Sequence, residues 1–442
     1  MNDLDRLRVS LDGELLEPGS PGYDAARRPA IARYADVRPR AVVRCASTED
    51  AARTIAYAQD TGTHLVPRGG GHCFAGRSST EGLLLDLGRL DGITVGADGH
   101  ATIGAGARLA QVYDALHQQG CTLPAGCGPT VGIAGLTLGG GLGLLGRAHG
   151  LTCDSLIGAR VVLADGRVVD CDPDREPELF WALRGAGGGQ FGVVTSLVLA
   201  TVPEPHATRF ELCWPETAAA ALVAAWQDWA PDAPDAVTAN LTVVAEPGLP
   251  TRVVVFGAVL REAERARGLL NELIDAAGSA PAERLRDGMA FRDLKRSFAE
   301  PDARAERPQT ESARSEFFAR TLPTAAIGAL LDGLHDTPAS GRRELNFTAM
   351  GGGYNRVSEN ETAFAHRTER FLLQHVADDD PPWVDRSWAV AHVHGSGRVY
   401  PNFPDSRLAD PAAAYHAGNH ARLVAARRAY DPDRFFRFPQ AV

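Results

Sequence analysis

Ten glycines fall between residues 126 and 150, and no other feature restricts the fold of this 442-residue chain as strongly. Glycine loses the most backbone freedom on folding and brings no side chain to pack, so a regular helix or strand through such a stretch is disfavoured. The tract is therefore expected to be a system of backbone-lined loops. It runs as Pro124-Ala125-Gly126-Cys127-Gly128-Pro129-Thr130-Val131-Gly132-Ile133-Ala134-Gly135 and on into Gly139-Gly140-Gly141-Leu142-Gly143. With side chains absent, main chain can approach a flat ligand closely, which suits a large planar cofactor better than a small anion. A purely structural glycine loop is an equal reading of the tract taken alone.

A second glycine feature, Pro67-Arg68-Gly69-Gly70-Gly71-His72, follows an apolar strand. Three consecutive glycines let N–H groups converge on an anion such as a pyrophosphate, with Arg68 as a compensating charge. Taken alone, a glycine loop beside one histidine is more often only a turn. Gly141 to Gly146 and Gly187 to Gly192 both match GxGxxG, yet neither follows a strand and opens a helix, so the NAD-binding context is missing. His392 and His394 have no carboxylate or cysteine at ligand spacing nearby, and no metal site is expected.

Around these loops the chain alternates short strands and helices. Ser47-Thr48-Glu49-Asp50 reads as a capped start to an Ala-rich helix ending at Gly62, between a strand near Arg44 and a strand through Val66, a βαβ-like opening. An apolar run Leu83 to Leu87, a strand near Ala101 to Ile103 and a helix from Leu109 to Gln119 follow. Asp165-Gly166 reads as a hairpin turn, with a helix from Pro177 to Leu183 and a strand from Phe191 to Val202 after it. Beyond Pro203 to Pro205 the glycine density falls, and helices such as Thr217 to Trp229 alternate with strands such as Thr251 to Leu260. Residues Ala282 to Arg320 carry both signs of charge, as expected of a solvated helical face rather than a mobile flap.

The length favours two domains, and the net charge of −10 opposes a nucleic-acid surface. Lys295 is the only lysine in the chain, and no Schiff-base or phosphate-binding lysine motif surrounds it. The seven cysteines, at positions 45, 73, 121, 127, 153, 171 and 213, form no CxxC pair or disulfide framework and read as reduced thiols of a cytoplasmic protein. The acidic residues near the N-terminus do not fit a signal peptide, and no apolar stretch is long enough to span a bilayer.

The motifs acquire weight from their order. RGGGH at 68–72 and the glycine tract are followed by Gly150-Leu151-Thr152-Cys153-Asp154, Val162-Leu163-Ala164-Asp165-Gly166, Leu179-Phe180-Trp181-Ala182-Leu183-Arg184-Gly185 and Phe191-Gly192-Val193-Val194. Tyr400-Pro401-Asn402-Phe403 and Tyr430-Asp431-Pro432 close the series. This order resembles the berberine-bridge-enzyme-like branch of the vanillyl-alcohol-oxidase-type (PCMH-type FAD-binding) flavoproteins, from roughly Tyr23 to Val202 and again at the C-terminus.

The resemblance implies an α+β fold: an FAD-binding domain made of residues 1–205 and 396–442, with an antiparallel-sheet substrate domain backed by helices inserted at 206–395. It implies cofactor contacts from Arg68, Gly69, Gly70, Gly71, Gly128, Thr130, Val131, Gly132, Gly135, Gly139, Gly140, Gly141, Gly143, Gly192, Val193 and Asn402. It also implies a covalent bond from His72 to the flavin 8-methyl group, which raises the reduction potential of the flavin. Many relatives make a second bond from the cysteine of a Gly-x-Cys-Pro-x-Val-Gly segment. Here Gly128 takes that place and Cys127 falls one residue early, so a single covalent link is expected, with a link through Cys127 the less favoured alternative.

By resemblance Tyr400 is the candidate base on the substrate side. Tyr354, after Gly351-Gly352-Gly353, is a second candidate. A tyrosine has an ordinary pKa near 10 and needs its phenolate stabilised to act near neutrality. Val131, in place of a bulkier leucine, is expected to admit oxygen beside the flavin. The expected activity is an FAD-dependent oxidase that removes a hydride from a small alcohol, sugar, cyclic amine or natural-product intermediate and reduces molecular oxygen to hydrogen peroxide. A dehydrogenase with another acceptor and a flavin-binding module without turnover are the alternatives. Nothing in the sequence selects the substrate or an oligomeric state.

Overall fold

Strands Glu14–Leu16 (β1), Ala41–Arg44 (β2), Leu65–Arg68 (β3) and Leu83–Asp86 (β4) form a sheet ordered β1-β2-β4-β3. β2 and β3 each run parallel to β4, which lies between them, and β1 is antiparallel to β2. The helix Thr48–Thr61 makes the crossover from β2 to β3. The Ser47 side chain accepts from the Asp50 N–H at its start, and Gly62, at φ 62°, closes its end, as a side-chain cap and a left-handed glycine do generally. The buried Asp50 carboxylate accepts from the N–H groups of Asp12, Gly13 and Ala46 at 2.8, 2.9 and 2.9 Å, tying the N-terminal segment to this helix. This is the expected βαβ opening with an additional strand between its two strands. The structure, a computed structural model, describes residues 3–304, 312–336, 341–378 and 380–442.

A second sheet is antiparallel throughout. It contains Ile93–Val95 (β5), His100–Gly104 (β6), Leu156–Val162 (β8), Val168–Cys171 (β9) and Val193–Ala200 (β10), ordered β5-β6-β10-β8-β9. The two-residue strands Cys121–Thr122 (β7) and Val202–Pro203 (β11) pair beside it. Asp165-Gly166 turns β8 into β9 as expected, with Gly166 at φ 81°. The glycine tract, expected to be loop throughout, contains two short helices, Ile133–Leu138 and Gly146–His149. The first has a single glycine, and the burial of Ile133, Ala134 and Leu138 outweighs the local composition.

The third sheet spans strands His206–Trp214 (β12), Val237–Ala245 (β13), Arg252–Val259 (β14), Ala282–Ala290 (β15), Ser312–Phe318 (β16), Arg343–Ala349 (β17) and Phe371–Ala377 (β18). Its order is β15-β12-β14-β13-β17-β18-β16, and every pairing is antiparallel. Side chains alternate between its faces. Phe210, Leu241, Val255, Phe347 and Leu373 pack into one core with Trp226, Leu270, Ile327 and Val384 from the backing helices. On the opposite face Phe317 and Leu372 pack with Tyr354, Phe364 and Tyr400. The charged stretch from Ala282 is an exposed edge strand followed by the helix Phe291–Arg304 and the strand β16, rather than one solvated helical face. Charge on an edge strand opposes pairing with another chain. Residues 305–311 of that stretch lie outside the described residues.

Two buried arginines tie residues 147–154 to the region of the large sheet. The Arg147 guanidinium donates to the carbonyls of Val237 at 2.8 Å and Pro231 at 2.9 Å, and also to those of Ala233 and Met350. Arg367 forms a two-pronged pair with Asp154 at 2.9 and 2.6 Å. The C-terminal helix His420–Tyr430 places Leu423 and Ala426 in the same core as Leu179 and Val193. Among the described residues no helix is long and apolar enough to cross a membrane.

Candidate active site

A cavity of about 320 Å³ opens where the loop after β3, the segment 131–138, the loop 187–189 and the segment 401–404 meet. Its wall includes Gly69, Gly70, Gly71 and His72, whose backbone N–H groups donate to no group among the described residues. Gly70 and Gly132 lie back to back, so a Cβ on Gly70 would stand 2.2 Å from the Gly132 nitrogen. Only glycine permits that approach. Four successive free N–H groups on a concave wall form an anion cradle, and the remaining wall is largely apolar, with Leu65, Val66, Leu136 and Phe436 among it. A cradle for a diphosphate continuous with an apolar slot fits FAD.

Of the residues expected at the cofactor, Arg68, Gly69, Gly70, Gly71, His72, Val131, Gly132, Gly135, Gly192, Val193 and Asn402 border this cavity. Arg68 does so without offering its charge. Its guanidinium donates to the Arg27 carbonyl at 2.9 Å, to the Ala26 carbonyl, and to Asp86 at 3.2 Å. The compensating groups are the backbone N–H groups instead. Gly139, Gly140, Gly141 and Gly143 do not border the cavity. The missing side chains of this part of the tract make room for protein: a Cβ on Gly139 would meet Asn402 Oδ1 at 2.1 Å, and one on Gly141 would meet Thr152 Oγ1 at 2.2 Å. The tract thus divides into a cavity wall near 131–138 and a bed for buried side chains near 139–146.

His72 holds its Nε2 3.0 Å from Thr130 Oγ1. Its Nδ1 has no protein partner among the described residues. Burial, reinforced by the Arg108 guanidinium, holds its pKa down at about 4 despite a hydrogen bond with the Thr130 backbone. The ring is neutral near pH 7, the form that has a lone pair to offer. Thr130 itself is exposed and does not border the cavity.

The two candidate tyrosines both lie against the glycine tract. The Tyr400 oxygen accepts from the Gly141 N–H at 2.8 Å, the Leu142 N–H at 3.2 Å and Asn402 Nδ2 at 3.0 Å. Burial pushes its pKa up to about 12, while the three N–H groups pull it down. No acceptor for its own proton is present among the described residues, so the three N–H groups offset part of the effect of burial on the phenolate. The Tyr354 hydroxyl differs, because it donates to the Gly143 carbonyl at 2.7 Å while accepting from the Gly143 N–H at 3.0 Å. Burial pushes its pKa up as well.

Cys127 turns away from the cavity, and its Sγ lies 3.5 Å from Nζ of Lys295. A Cβ on Gly128 would instead meet Val131 Cγ2, on the cavity wall, at 2.8 Å. Other residues at the site were not among the expected cofactor contacts. Phe74 and Phe403 meet edge to face at 5.7 Å on the wall, and Phe436 and Phe438 close it from the C-terminus. Gly187, Gly188 and Gly189 border the cavity although their GxGxxG pattern is not a nucleotide fingerprint of the NAD kind. His392 is occupied by Glu316 at 2.7 Å and stacks on Trp388. No cluster of three or more His, Cys, Asp or Glu suited to a metal occurs among the described residues.

Comparison with known proteins agrees with this site. Residues 39–172 match the FAD binding domain family, and residues 399–442 match the berberine and berberine-like family. The uncharacterized FAD-linked oxidoreductase YgaK of Bacillus subtilis (strain 168) is 30% identical over 452 residues, covering 98% of each chain. Among solved structures, BBE-like 1 of Physcomitrella patens superposes with a TM-score of 0.90 at 26% identity, covering 99% of this chain and 98% of its own. Glucooligosaccharide oxidase from Acremonium strictum, described with a 6-S-cysteinyl, 8α-N1-histidyl FAD, superposes with a TM-score of 0.90 at 27% identity, covering 100% and 99%. With the cradle, the histidine and the matching architecture in one chain, this protein belongs to the berberine-bridge-enzyme-like FAD-linked oxidoreductases of the vanillyl-alcohol-oxidase type.

Proposed function

We propose that this enzyme carries its FAD on one covalent bond, from His72, and acts as an oxidase on a small organic substrate with molecular oxygen as electron acceptor. The observation that carries this reading is the neutral His72 ring on the cavity wall, with Nε2 held by Thr130 and Nδ1 without a protein partner. When Nε2–H donates to Thr130 Oγ1, the lone pair resides on Nδ1. That is the nitrogen on which a covalent link is proposed. The cysteinyl half of a double linkage is not proposed for this chain, because Cys127 is engaged by Lys295 on the far side of its loop.

Bound flavin supplies the hydride acceptor, and the protein supplies its site and a proton acceptor. Gly69 to His72 bind the diphosphate through their N–H groups. Tyr400 is favoured over Tyr354 as the base: its oxygen collects three N–H donors, whereas the proton of Tyr354 is held by a carbonyl. Asn402 positions Tyr400 while bridging to the Leu136 carbonyl at 2.9 Å. Val131 leaves space for oxygen on the cavity wall. Residues 1–205 and 396–442 are proposed as the FAD domain and 206–395 as the substrate domain, a division supported by the core around Trp226 and Phe347, which is drawn from 206–395 alone. A cytoplasmic location is supported by seven cysteines, all of them free thiols.

The test is a cycle of reduction and reoxidation. A substrate added without oxygen should bleach the yellow absorbance, and air should restore it with release of hydrogen peroxide. Bleaching that air fails to reverse would overturn the oxidase assignment.

A further inference from the structure

Of the 45 lysine and arginine residues, Lys295 is the only lysine, and it is 2% exposed. Its Nζ donates to the Ala125 carbonyl at 2.5 Å and the Gly126 carbonyl at 3.1 Å, and it stands 3.5 Å from Cys127 Sγ. The rings of Tyr113 and Phe291 enclose it at 5.1 and 5.0 Å. No carboxylate pairs with it among the described residues. A need to clamp carbonyls does not explain a lysine here, since elsewhere this chain performs that task with arginine: Arg147 is buried and donates to four carbonyls. What an amine offers and a guanidinium does not is a nucleophilic nitrogen once it is deprotonated.

We propose that Cys127 and Lys295 form an oxidisable couple that closes a covalent Sγ–Nζ cross-link between the glycine tract and the helix Phe291–Arg304 when the protein meets hydrogen peroxide. In the first step the thiol loses its S–H bond to one peroxide, giving a sulfenic acid and one water. Sulfur is oxidised by two electrons and one peroxide oxygen is reduced to water. In the second step the neutral Lys295 amine attacks that sulfur; the Nζ–Sγ bond forms, the S–O bond breaks, and the hydroxyl leaves as water with a proton from the amine. One peroxide is consumed and two waters form. Condensation of a sulfenic acid with a nearby nitrogen is established chemistry for protein backbones, and the amine here already lies in contact with the sulfur. Burial without a carboxylate partner lowers the pKa of Lys295, which favours the attacking form.

The cross-link rests on the oxidase reading only for its natural source of peroxide. The test therefore supplies reagent peroxide to the purified holoenzyme and to its Lys295→Met and Cys127→Ser variants, followed by peptide mass spectrometry. In the wild type, the Cys127 and Lys295 peptides should appear joined, lighter than their sum by two hydrogens, and dithiothreitol should separate them. The joined peptide should be absent from both variants, and Cys127 of Lys295→Met should proceed to sulfinic acid. In the wild type alone, Cys127 found as free thiol or as sulfinic acid with Lys295 unmodified overturns the proposal, whatever the variants do. Cross-linking that is observed while the enzyme's own turnover yields no peroxide would overturn the oxidase reading and leave the couple standing.

Discussion

Thr130 Oγ1 stands 3.0 Å from Nε2 of His72 and so leaves Nδ1 as the ring nitrogen without a hydrogen-bond partner among the described residues. The contact predicts a hierarchy at position 130. Thr130→Ser keeps the oxygen and should retain covalent flavin. Thr130→Val keeps the shape without the oxygen, leaves the ring without its side-chain partner, and should slow covalent incorporation into apoprotein severalfold. Absorbance of protein-bound flavin after denaturation, followed over time, measures this. Equal rates for the valine and serine variants would show that the contact has no role in attachment.

Tyr400 gathers three N–H groups on one oxygen. As the base, its replacement by phenylalanine should slow flavin reduction by substrate at least about tenfold, the low side of general-base effects. Tyr354→Phe should affect reduction less, because its hydroxyl is already satisfied by the Gly143 backbone. Stopped-flow reduction without oxygen separates the two, and an unchanged rate in Tyr400→Phe would remove that residue from the mechanism.

Arg147 is 1% exposed and anchors the short helix Gly146–His149 to four carbonyls of the large-sheet region. Arg147→Met leaves those carbonyls buried without donors, each worth about 1–3 kcal/mol. A loss of at least about 3 kcal/mol in chemical denaturation is expected. A loss below about 1 kcal/mol would mean that water or relaxation replaces the guanidinium.

Several elements were legible from local chemistry alone. Ser47 capping a helix closed by Gly62 and the turn at Asp165-Gly166 each depend on neighbours a few residues apart. The ordered motifs carried the family and hence the α+β architecture. What the sequence concealed was long-range. Nothing near Cys127 announces that its sulfur meets Lys295, 168 positions away, and nothing near Gly139 reveals that Asn402 occupies the place of its side chain. The glycine-rich composition also hid the helix Ile133–Leu138, whose formation depends on the core it enters rather than on its own propensities.

Burial holds the pKa values of His366, His375 and His416 down at about 3. Their ordinary value is about 6.5, so below that pH the unfolded chain binds protons that the folded chain does not. Each histidine then withdraws about 1.4 kcal/mol of stability per pH unit. The contribution is intact above about pH 6.5 and declines from there toward the folded values. Between about pH 6.5 and 5, where carboxylates remain mostly ionised, the thermal midpoint should fall steeply. Replacing His375 by glutamine or leucine should flatten that slope, and an unchanged slope would show that His375 is not depressed.

The central claim is that His72 alone bonds the flavin. The most direct measurement is peptide mass spectrometry of the enzyme after acid precipitation, with His72→Ala and Cys127→Ser treated alongside. Yellow colour should remain with wild-type and Cys127→Ser protein, on a peptide containing His72, and should leave the pellet of His72→Ala. Flavin that washes free of the wild-type pellet, or that is found on Cys127, would contradict the account.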